Sequence, residues 1–594
     1  MKNRKAAGSI PTENWAQLPW RKLELHVYRI QKRIFKAQCR GNTRAVHKLQ
    51  KLLMKSSAAR LVAVRRVSQD NQGKQTAGID GVKALTPVQR FAMVQALHPK
   101  QTNRHQPRPV RRIYIPKRTT GEMRPLGIPT MFDRAYQALA KLALEPQWEA
   151  RFEPNSYGFR PGRGAHDAIE AIHTMISLKS KYVLDADIKG CFDHINHQAL
   201  LAKVQTYPAM RRMIKAWLKA GVLSGGEVFP TEAGTPQGGV ISPLLANIAL
   251  HGMEEALRRL CPQKEGRLLM VRYADDFVVF HPSEQAITKA QAFLHTWLAQ
   301  IGLELKPSKT RVTHTLYPYQ GNVGFDFLGF TIRQYPVGKT QTGKTPQGKP
   351  LGFKTTITPS TEAIKRHLQA TGQIIRAAKA WSQEALIGQL NPVILGWTRY
   401  YRTVVAGASF AKCDHLLFQQ VLRWSKRRHP HKSVFWKVNK YWTVNQGKGW
   451  RFQTPTGQRL RKHSETHIRR HIKVQGTASP YDGNLLYWSQ RLRAHPLLRS
   501  TLARLLQKQQ GRCSYCGRYF IEEDQIEIDH FLPLSQGGKA RFDNLMALHR
   551  YCHDQRHAKK QKVSNDKDGR TEEPDDAKGS RPVLETSRFR EEMA

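Results

Sequence analysis

Met270-Val-Arg-Tyr-Ala-Asp-Asp-Phe-Val-Val-Phe280 holds two adjacent carboxylates, Asp275 and Asp276, inside an apolar run. The pattern predicts two β-strands joined by a tight turn, with the acids at the turn. Taken alone, Asp-Asp is more often a plain turn than a site. Side-by-side carboxylates repel, however, and a fold that keeps them usually has a cation to hold. Mg²⁺ takes oxygen ligands and bridges to substrate phosphates. Two such ions can clamp the attacking and leaving oxygens of a phosphoryl transfer.

Another strand, Tyr182-Val-Leu-Asp-Ala-Asp187, also ends in acids and runs into Ile188-Lys-Gly-Cys-Phe192-Asp193. Asp187, Asp275 and Asp276 on neighbouring strand ends make a candidate site for two Mg²⁺ ions in nucleotidyl transfer. Asp185 and Asp193 read as ordinary strand-end acids. Gly234-Thr-Pro-Gln-Gly-Gly-Val-Ile-Ser-Pro243 reads as a glycine-rich loop opening an apolar helix over 244–250. Further upstream, residues 110–116 alternate as a strand. Lys117 and a turn then lead into Arg124-Pro-Leu-Gly-Ile-Pro129 and a helix over 133–148.

The 594 residues leave room for several domains. Lys and Arg total 97 against 45 Asp and Glu, a net charge of +52. Such an excess implies a polyanionic partner, nucleic acid before a membrane surface. No apolar run is long enough to span a bilayer, and the first ten residues lack the core of a signal peptide. A soluble, intracellular protein is therefore expected. Three of the 7 cysteines, Cys513, Cys516 and Cys552, cluster near the C-terminus. That points to a metal site in a reducing compartment and not to disulfides. Cys513-x-x-Cys516 followed by His549-x-x-Cys552 is good spacing for structural Zn²⁺, and a module this small needs such a staple. Residues 23–67 read as basic helices, 360–436 as helical, basic and aromatic, and the tail beyond about 562 as disordered.

The order of these motifs resembles reverse transcriptases of the group II intron-encoded type, over most of the chain. The resemblance implies a multidomain α/β and α fold. It would comprise a right-hand polymerase whose fingers and palm carry an antiparallel catalytic sheet, an α-helical thumb or maturase domain, and a small ββα-metal HNH zinc module. The implied boundaries are a basic N-terminal extension (1–65), fingers and palm (66–358), thumb (359–436), a basic DNA-binding region (437–505), HNH endonuclease (506–562) and a disordered tail (563–594).

Within the polymerase, Ala77-Gly-Ile-Asp80-Gly resembles the upstream loop motif. Lys117 and Arg124 fall where the family contacts the incoming triphosphate. Ser156-Tyr-Gly-Phe-Arg160-Pro-Gly-Arg163 is a further signature, in which Arg160 or Arg163 is expected to reach template or phosphate. Phe192 stands at the steric gate that rejects a ribose 2′-hydroxyl. Thr235-Pro-Gln237-Gly238 matches the motif packed on the nascent base pair. Lys309 matches the lysine that acts on the pyrophosphate leaving group, and Phe327-Leu-Gly329-Phe the primer grip.

In the thumb, Trp397, Tyr400 and Tyr401 suit either base stacking or a helical core, with core favoured for Trp397. Arg423, Lys426, Arg427 and Arg428 are expected to face RNA. In the last module, Asp529-His530, Asn544 and His553 resemble an HNH nuclease. His530 is then the general base, and Asp529 and His553 hold one divalent ion, Mg²⁺ by expectation. Asn544 and His557 are counted with that metal set, and Asn544 also orients the His530 loop. Cys513, Cys516, His549 and Cys552 hold Zn²⁺, although the family often has Cys where His549 stands.

The implied protein is a multifunctional polymerase, maturase and nicking endonuclease of intron mobility. Its partners would be group II intron RNA in a ribonucleoprotein, target DNA, an RNA template and deoxynucleotides. No membrane is expected, and a homodimer is compatible with the family. It would work in a bacterial cytoplasm and on the nucleoid. The rivals are a reverse transcriptase of another retroelement or of host defence, and a splicing factor that has lost its chemistry.

Overall fold

The computed structural model describes residues 15–103, 105–116, 123–261, 266–338, 340–445, 449–495, 500–520 and 524–565. Lys117 and residues 566–594 of the expected disordered tail lie outside the described residues.

The basic N-terminal stretch folds as helices α1 (Trp20–Cys39), α2 (Thr43–Lys55) and α3 (Ser57–Arg65). Val27, Ile30 and Ile34 recur at helical spacing and are buried, while most Lys and Arg of α1 stay at the surface. Strands β1 (Val110–Pro116) and β2 (Met123–Ile128) pair antiparallel, and helix α4 (Met131–Glu149) follows. The Thr130 hydroxyl caps α4 by accepting from the Asp133 N–H at 3.1 Å. Helix α5 (Ala165–Ile176) precedes β3 (Tyr182–Asp187). The short strands β4 (Val222–Ser224) and β5 (Glu227–Phe229) extend the β2-β1 sheet.

The second sheet carries the acids. After helix α6 (Ser242–Leu250) come β6 (Leu269–Tyr273), β7 (Asp276–His281) and β8 (Arg311–His314). Their order is β6-β7-β3-β8, and every pair in it is antiparallel. A third sheet follows from β9 (Phe325–Phe327), β10 (Phe330–Pro336) and β11 (Phe353–Pro359).

The next helices are α7 (Thr361–Ala377), α8 (Gln383–Tyr401) and α9 (Gly407–Arg428), packed around Leu386, Leu390 and Trp424. A hairpin of β12 (Trp442–Asn445) and β13 (Gly449–Phe452) leaves this bundle. Residues 467–495 then fold back on α5. There the Asp167 carboxylate accepts from Arg491 at 2.7 Å, from the Val474 N–H at 2.8 Å and pairs with His471 at 3.1 Å. The C-terminal module is a hairpin, β14 (Ile526–His530) with β15 (Leu545–His549), followed by helix α10 (Arg550–Asn565).

That module rests on the N-terminal helices. Cys513, Phe520, Leu548 and Tyr551 share one apolar core with Ile34, Val62 and Leu139. Arg65, stacked on Trp20 at 4.6 Å, reaches Asp554 of α10 at 3.1 Å. The Gln555 side chain donates to the Leu18 carbonyl at 2.8 Å. Among the described residues no helix is long and apolar enough to cross a membrane.

Candidate active sites

The antiparallel register brings the acids together. Asp187 ends β3 directly opposite Asp276 on β7, a placement that sets Cβ atoms about 5 Å apart. Tyr273 pairs with Asp276 across the hairpin, leaving Ala274 and Asp275 as a two-residue turn. Ala274 takes φ +58°, the left-handed backbone that such turns demand. Burial, and then the Asp187 carboxylate, lift the Asp275 carboxyl to about 6. Asp276 is pushed well up by burial, then by Asp275 and Asp187.

Lys309 stands 2.8 Å from the Asp187 carboxylate. Burial opposes its charge, but the bond to Asp187 and the attraction of Asp276 and Asp275 hold the ammonium above its usual range. Its turn is anchored where the Lys306 N–H donates to the Asp187 carbonyl at 2.8 Å. Hard oxygen donors crowded by sheet register are the set that suits Mg²⁺. Among the described residues, ligand atoms within 4.8 Å of one another cluster only in the C-terminal module. The aspartate trio is more open than that, and Lys309 offsets part of its charge.

A platform beneath the turn was missed in the sequence. Arg272 is fully buried and donates to the Ala274 carbonyl at 3.1 Å and to Asn247 at 2.9 Å. Asn247 in turn donates to the Gly158 carbonyl at 2.8 Å. A Cβ on Gly158 would stand 2.3 Å from the Ala274 nitrogen. A lone arginine inside the apolar run 269–273 was the available signal. The Ser156–Arg163 signature is thus a support for the turn, which corrects the expectation for its arginines. Arg160 is buried against Glu149 at 2.9 Å and donates to the carbonyls of Glu153 and Ser156. Arg163 is buried and donates to the carbonyls of Pro154, Gly476 and Ala478. Neither side chain is placed to meet a template.

Arg124, half-buried on β2, is close enough to favour ionisation of Asp275. The half-buried Phe192 ring meets Phe159 edge-on at 6.1 Å, and the Phe192 carbonyl accepts from the Thr235 N–H. The Gln237 amide reaches Asp193 at 3.5 Å. Gly238 at φ +109° lies against Gly127, where a Cβ would meet the Gly127 carbonyl at 2.8 Å. The 235–238 loop is thereby docked on β2. Phe327 and Phe330 are buried, and the Tyr400 hydroxyl donates to the Leu328 carbonyl at 3.3 Å.

On α8, the stacking alternative gives way to the core. Tyr400 and Tyr401 are buried, and Trp397 stacks on His367 at 4.5 Å. Arg423, Lys426, Arg427 and Arg428 are exposed on α9.

In the C-terminal module, ligand atoms of Cys513, Cys516, His549 and Cys552 all lie within 4.8 Å of one another, and all four residues are buried. Three sulfurs and an imidazole suit Zn²⁺. Asp524, unnoticed in the sequence, lies 3.3 Å from His549 Nε2 and turns Nδ1 toward the thiols, 3.3 Å from Cys516 Sγ. Asp529, His553 and His557 form the second cluster, on β14 and one face of α10. This oxygen-and-imidazole set fits a divalent ion.

Asn544 does not belong to that set, which corrects its assignment as a ligand. Its side chain is spent on the loop backbone, accepting from the Leu532 N–H at 2.8 Å and donating to the carbonyls of Leu532 and Lys539, each at 2.9 Å. Orienting the loop after His530 is the role its contacts support. Arg556, also missed, pairs with Asp529 and donates to the carbonyls of His530 at 2.8 Å and Phe531 at 2.6 Å. No sequence signal marked it.

Four family models match in chain order. They are "N-terminal domain of reverse transcriptase" over 15–97, "Reverse transcriptase (RNA-dependent DNA polymerase)" over 115–332, "Group II intron, maturase-specific domain" over 364–442 and "HNH endonuclease" over 513–559. Protein YkfC of Escherichia coli is 32% identical over 356 residues, covering 53% of this chain and 91% of that one. Group II intron-encoded protein LtrA of Lactococcus lactis is 28% identical over 366 residues, 50% of this chain and 59% of the relative. The chain belongs to the group II intron-encoded proteins. This intron-encoded protein is also 28% identical over 432 residues to an uncharacterised 91 kDa protein in the cob intron of Schizosaccharomyces pombe. The match covers 61% of this chain and 52% of that one. The chain thus spans most of YkfC and little more than half of the two intron relatives.

Proposed function

We propose that this chain copies RNA into DNA, assists splicing of its parent intron RNA, and nicks target DNA to make a primer for reverse transcription. The supporting observation is the register that sets Asp187 opposite Asp276, beside the turn acid Asp275. The same chain carries Asp529, His553 and His557 as a second, separate cluster.

Mg²⁺ held by Asp187, Asp275 and Asp276, and by Asp529, His553 and His557, would supply Lewis acidity at the reacting phosphates, while Zn²⁺ on the Cys/His quartet would staple the module. Beside the polymerase acids Arg124 neutralises the incoming triphosphate, a role the family motif also gives to Lys117, which lies outside the described residues. The Phe192 ring excludes a ribose 2′-hydroxyl, and Gln237 and Gly238 bear on the nascent base pair. Lys309 gives a proton from Nζ to the pyrophosphate leaving group. In the nuclease, His530 takes a proton from the attacking water, and Asn544 and Arg556 hold its loop.

The exposed arginines and lysine at the end of α9 suit RNA phosphates, and residues 437–505 suit the DNA. The protein would act in the cytoplasm, at its DNA target. Primer extension on an RNA template with Mg²⁺ tests the polymerase. The wild type should make cDNA and Asp276→Asn should not. No cDNA from the wild type ends this reading.

A further inference from the structure

The loop after His530 shows solvent three large apolar side chains: Phe531 is 74% exposed, Leu532 45% and Leu534 54%. Its backbone is nonetheless fixed. Asn544 grips Leu532 on both sides of the peptide, and the Phe531 N–H donates to the Asn544 carbonyl at 2.7 Å. Arg556 clamps the carbonyls of His530 and Phe531 from α10. Gly538 packs so close that a Cβ there would stand 2.0 Å from the Leu532 carbonyl. A rigid backbone therefore carries apolar side chains that the described residues leave largely exposed.

The rim is cationic. Lys539 and Arg541 are exposed beside the tip, and Arg504 and Lys508 lie over the Phe542 ring, with Asp543 the exposed acid of the same turn. An apolar point inside a basic rim matches duplex DNA, whose phosphates take the rim while a base step takes the point. Phe and Leu side chains serve as such wedges, unstacking a step and kinking the duplex. Phe531 directly follows His530, with Cα atoms about 3.8 Å apart, so the exposed ring is within reach of a base step beside a phosphodiester held at His530.

We propose that Phe531, flanked by Leu532 and Leu534, is a wedge that opens a base step of duplex DNA beside the phosphodiester presented to His530. The inference rests on the nuclease reading above. It makes the wedge a determinant of which duplex steps are nicked, with easily unstacked steps favoured.

The test uses the full chain. A nick made by the wild type in plasmid DNA is mapped, and short duplexes spanning it are made with 2-aminopurine at each flanking step. With Ca²⁺ in place of Mg²⁺, the wild type should raise fluorescence at one step, and Phe531→Ala should not. With Mg²⁺, Phe531→Ala and Leu532→Ser should nick the paired duplex roughly 10- to 100-fold more slowly, the rate equivalent of unstacking one step. A mismatch at that step should restore them to near the wild-type rate, with cDNA synthesis and zinc content unchanged throughout. Equal slowing on paired and mismatched duplexes overturns the wedge, as does fluorescence that Phe531→Ala leaves unaltered. A change in oligomeric state with Phe531→Ala would assign the tip to a protein contact instead. If the wild type nicks nothing, the nuclease reading falls and the wedge with it.

Discussion

Gly158→Ala is the smallest change expected to disable the polymerase site. The new Cβ would stand 2.3 Å from the Ala274 nitrogen and 3.0 Å from Ala274 Cα and the Tyr273 carbonyl carbon. Non-bonded atoms rest near 3.5 Å, so the two backbones must part by about 1 Å. Gly158 is not among the glycines with positive φ, so alanine meets no backbone strain there and the effect is steric alone. Neither side yields easily. Asn247 holds the Gly158 carbonyl at 2.8 Å, and Arg272 holds the Ala274 carbonyl at 3.1 Å. Asp275 rides on the displaced turn and shifts from its place beside Asp187 and Asp276. A misplacement of about 1 Å costs a catalytic step roughly 100-fold, or about 2.7 kcal/mol of barrier. The assay is single-nucleotide primer extension at saturating deoxynucleotide, with plasmid nicking by the same preparation as the check on folding. Extension should fall about 100-fold and nicking should persist. A wild-type extension rate refutes the steric platform, and equal loss of both activities refutes its confinement to the turn.

His530→Ala should abolish nicking and leave cDNA synthesis intact; parallel loss would mean that the two sites are not separate. Cys513→Ser should lower bound zinc and nicking together while primer extension survives, because structural zinc contributes about 10–16 kcal/mol to such modules. Asp275 holds its proton more tightly folded than unfolded, since burial and Asp187 raise its carboxyl to about 6. Its contribution is therefore fully present below the ordinary carboxylate range and is lost as pH rises through about 6. In Mg²⁺-free buffer, Asp275→Asn should flatten that part of the melting temperature's pH dependence, and an unchanged slope would exclude Asp275 as its source. Asp167→Ala removes a buried carboxylate and leaves half-buried Arg491 without its partner, and should cost about 3 kcal/mol in denaturant unfolding.

The sequence exposed what repeats along one strand or one short loop. The acids of Asp187 and Asp275-Asp276, the Cys-x-x-Cys pair and the Asp529-His530 dipeptide were legible because their chemistry is local. That Asp187 stands opposite Asp276 was not, because register is a property of two strands 89 positions apart in pairing. Arg160 and Arg163 misled for a related reason. A strongly basic chain makes every arginine look like a phosphate ligand, whereas burial against Glu149 and backbone carbonyls is decided by tertiary packing. Asn544 was recognised by type but not by direction, since an amide beside a metal set can equally hold a loop. Arg272 and Arg556 act largely through backbone carbonyls, and of the two only Arg272, a lone charge in an apolar run, left a signal in the sequence.

The seat of the C-terminal module also sets an order of events in time. Arg65 and Asp554 are 489 residues apart in the chain. At about 5–20 residues per second, the N-terminal helices emerge roughly 25–100 s before the segment that covers them. Until then the face around Trp20 and Leu18 is bare, and α3 lacks its partner on α10. The late-made α10 therefore closes a surface of the earlier α1 and α3, and a ribosome that stops short of α10 releases a chain in which those helices lack that cover.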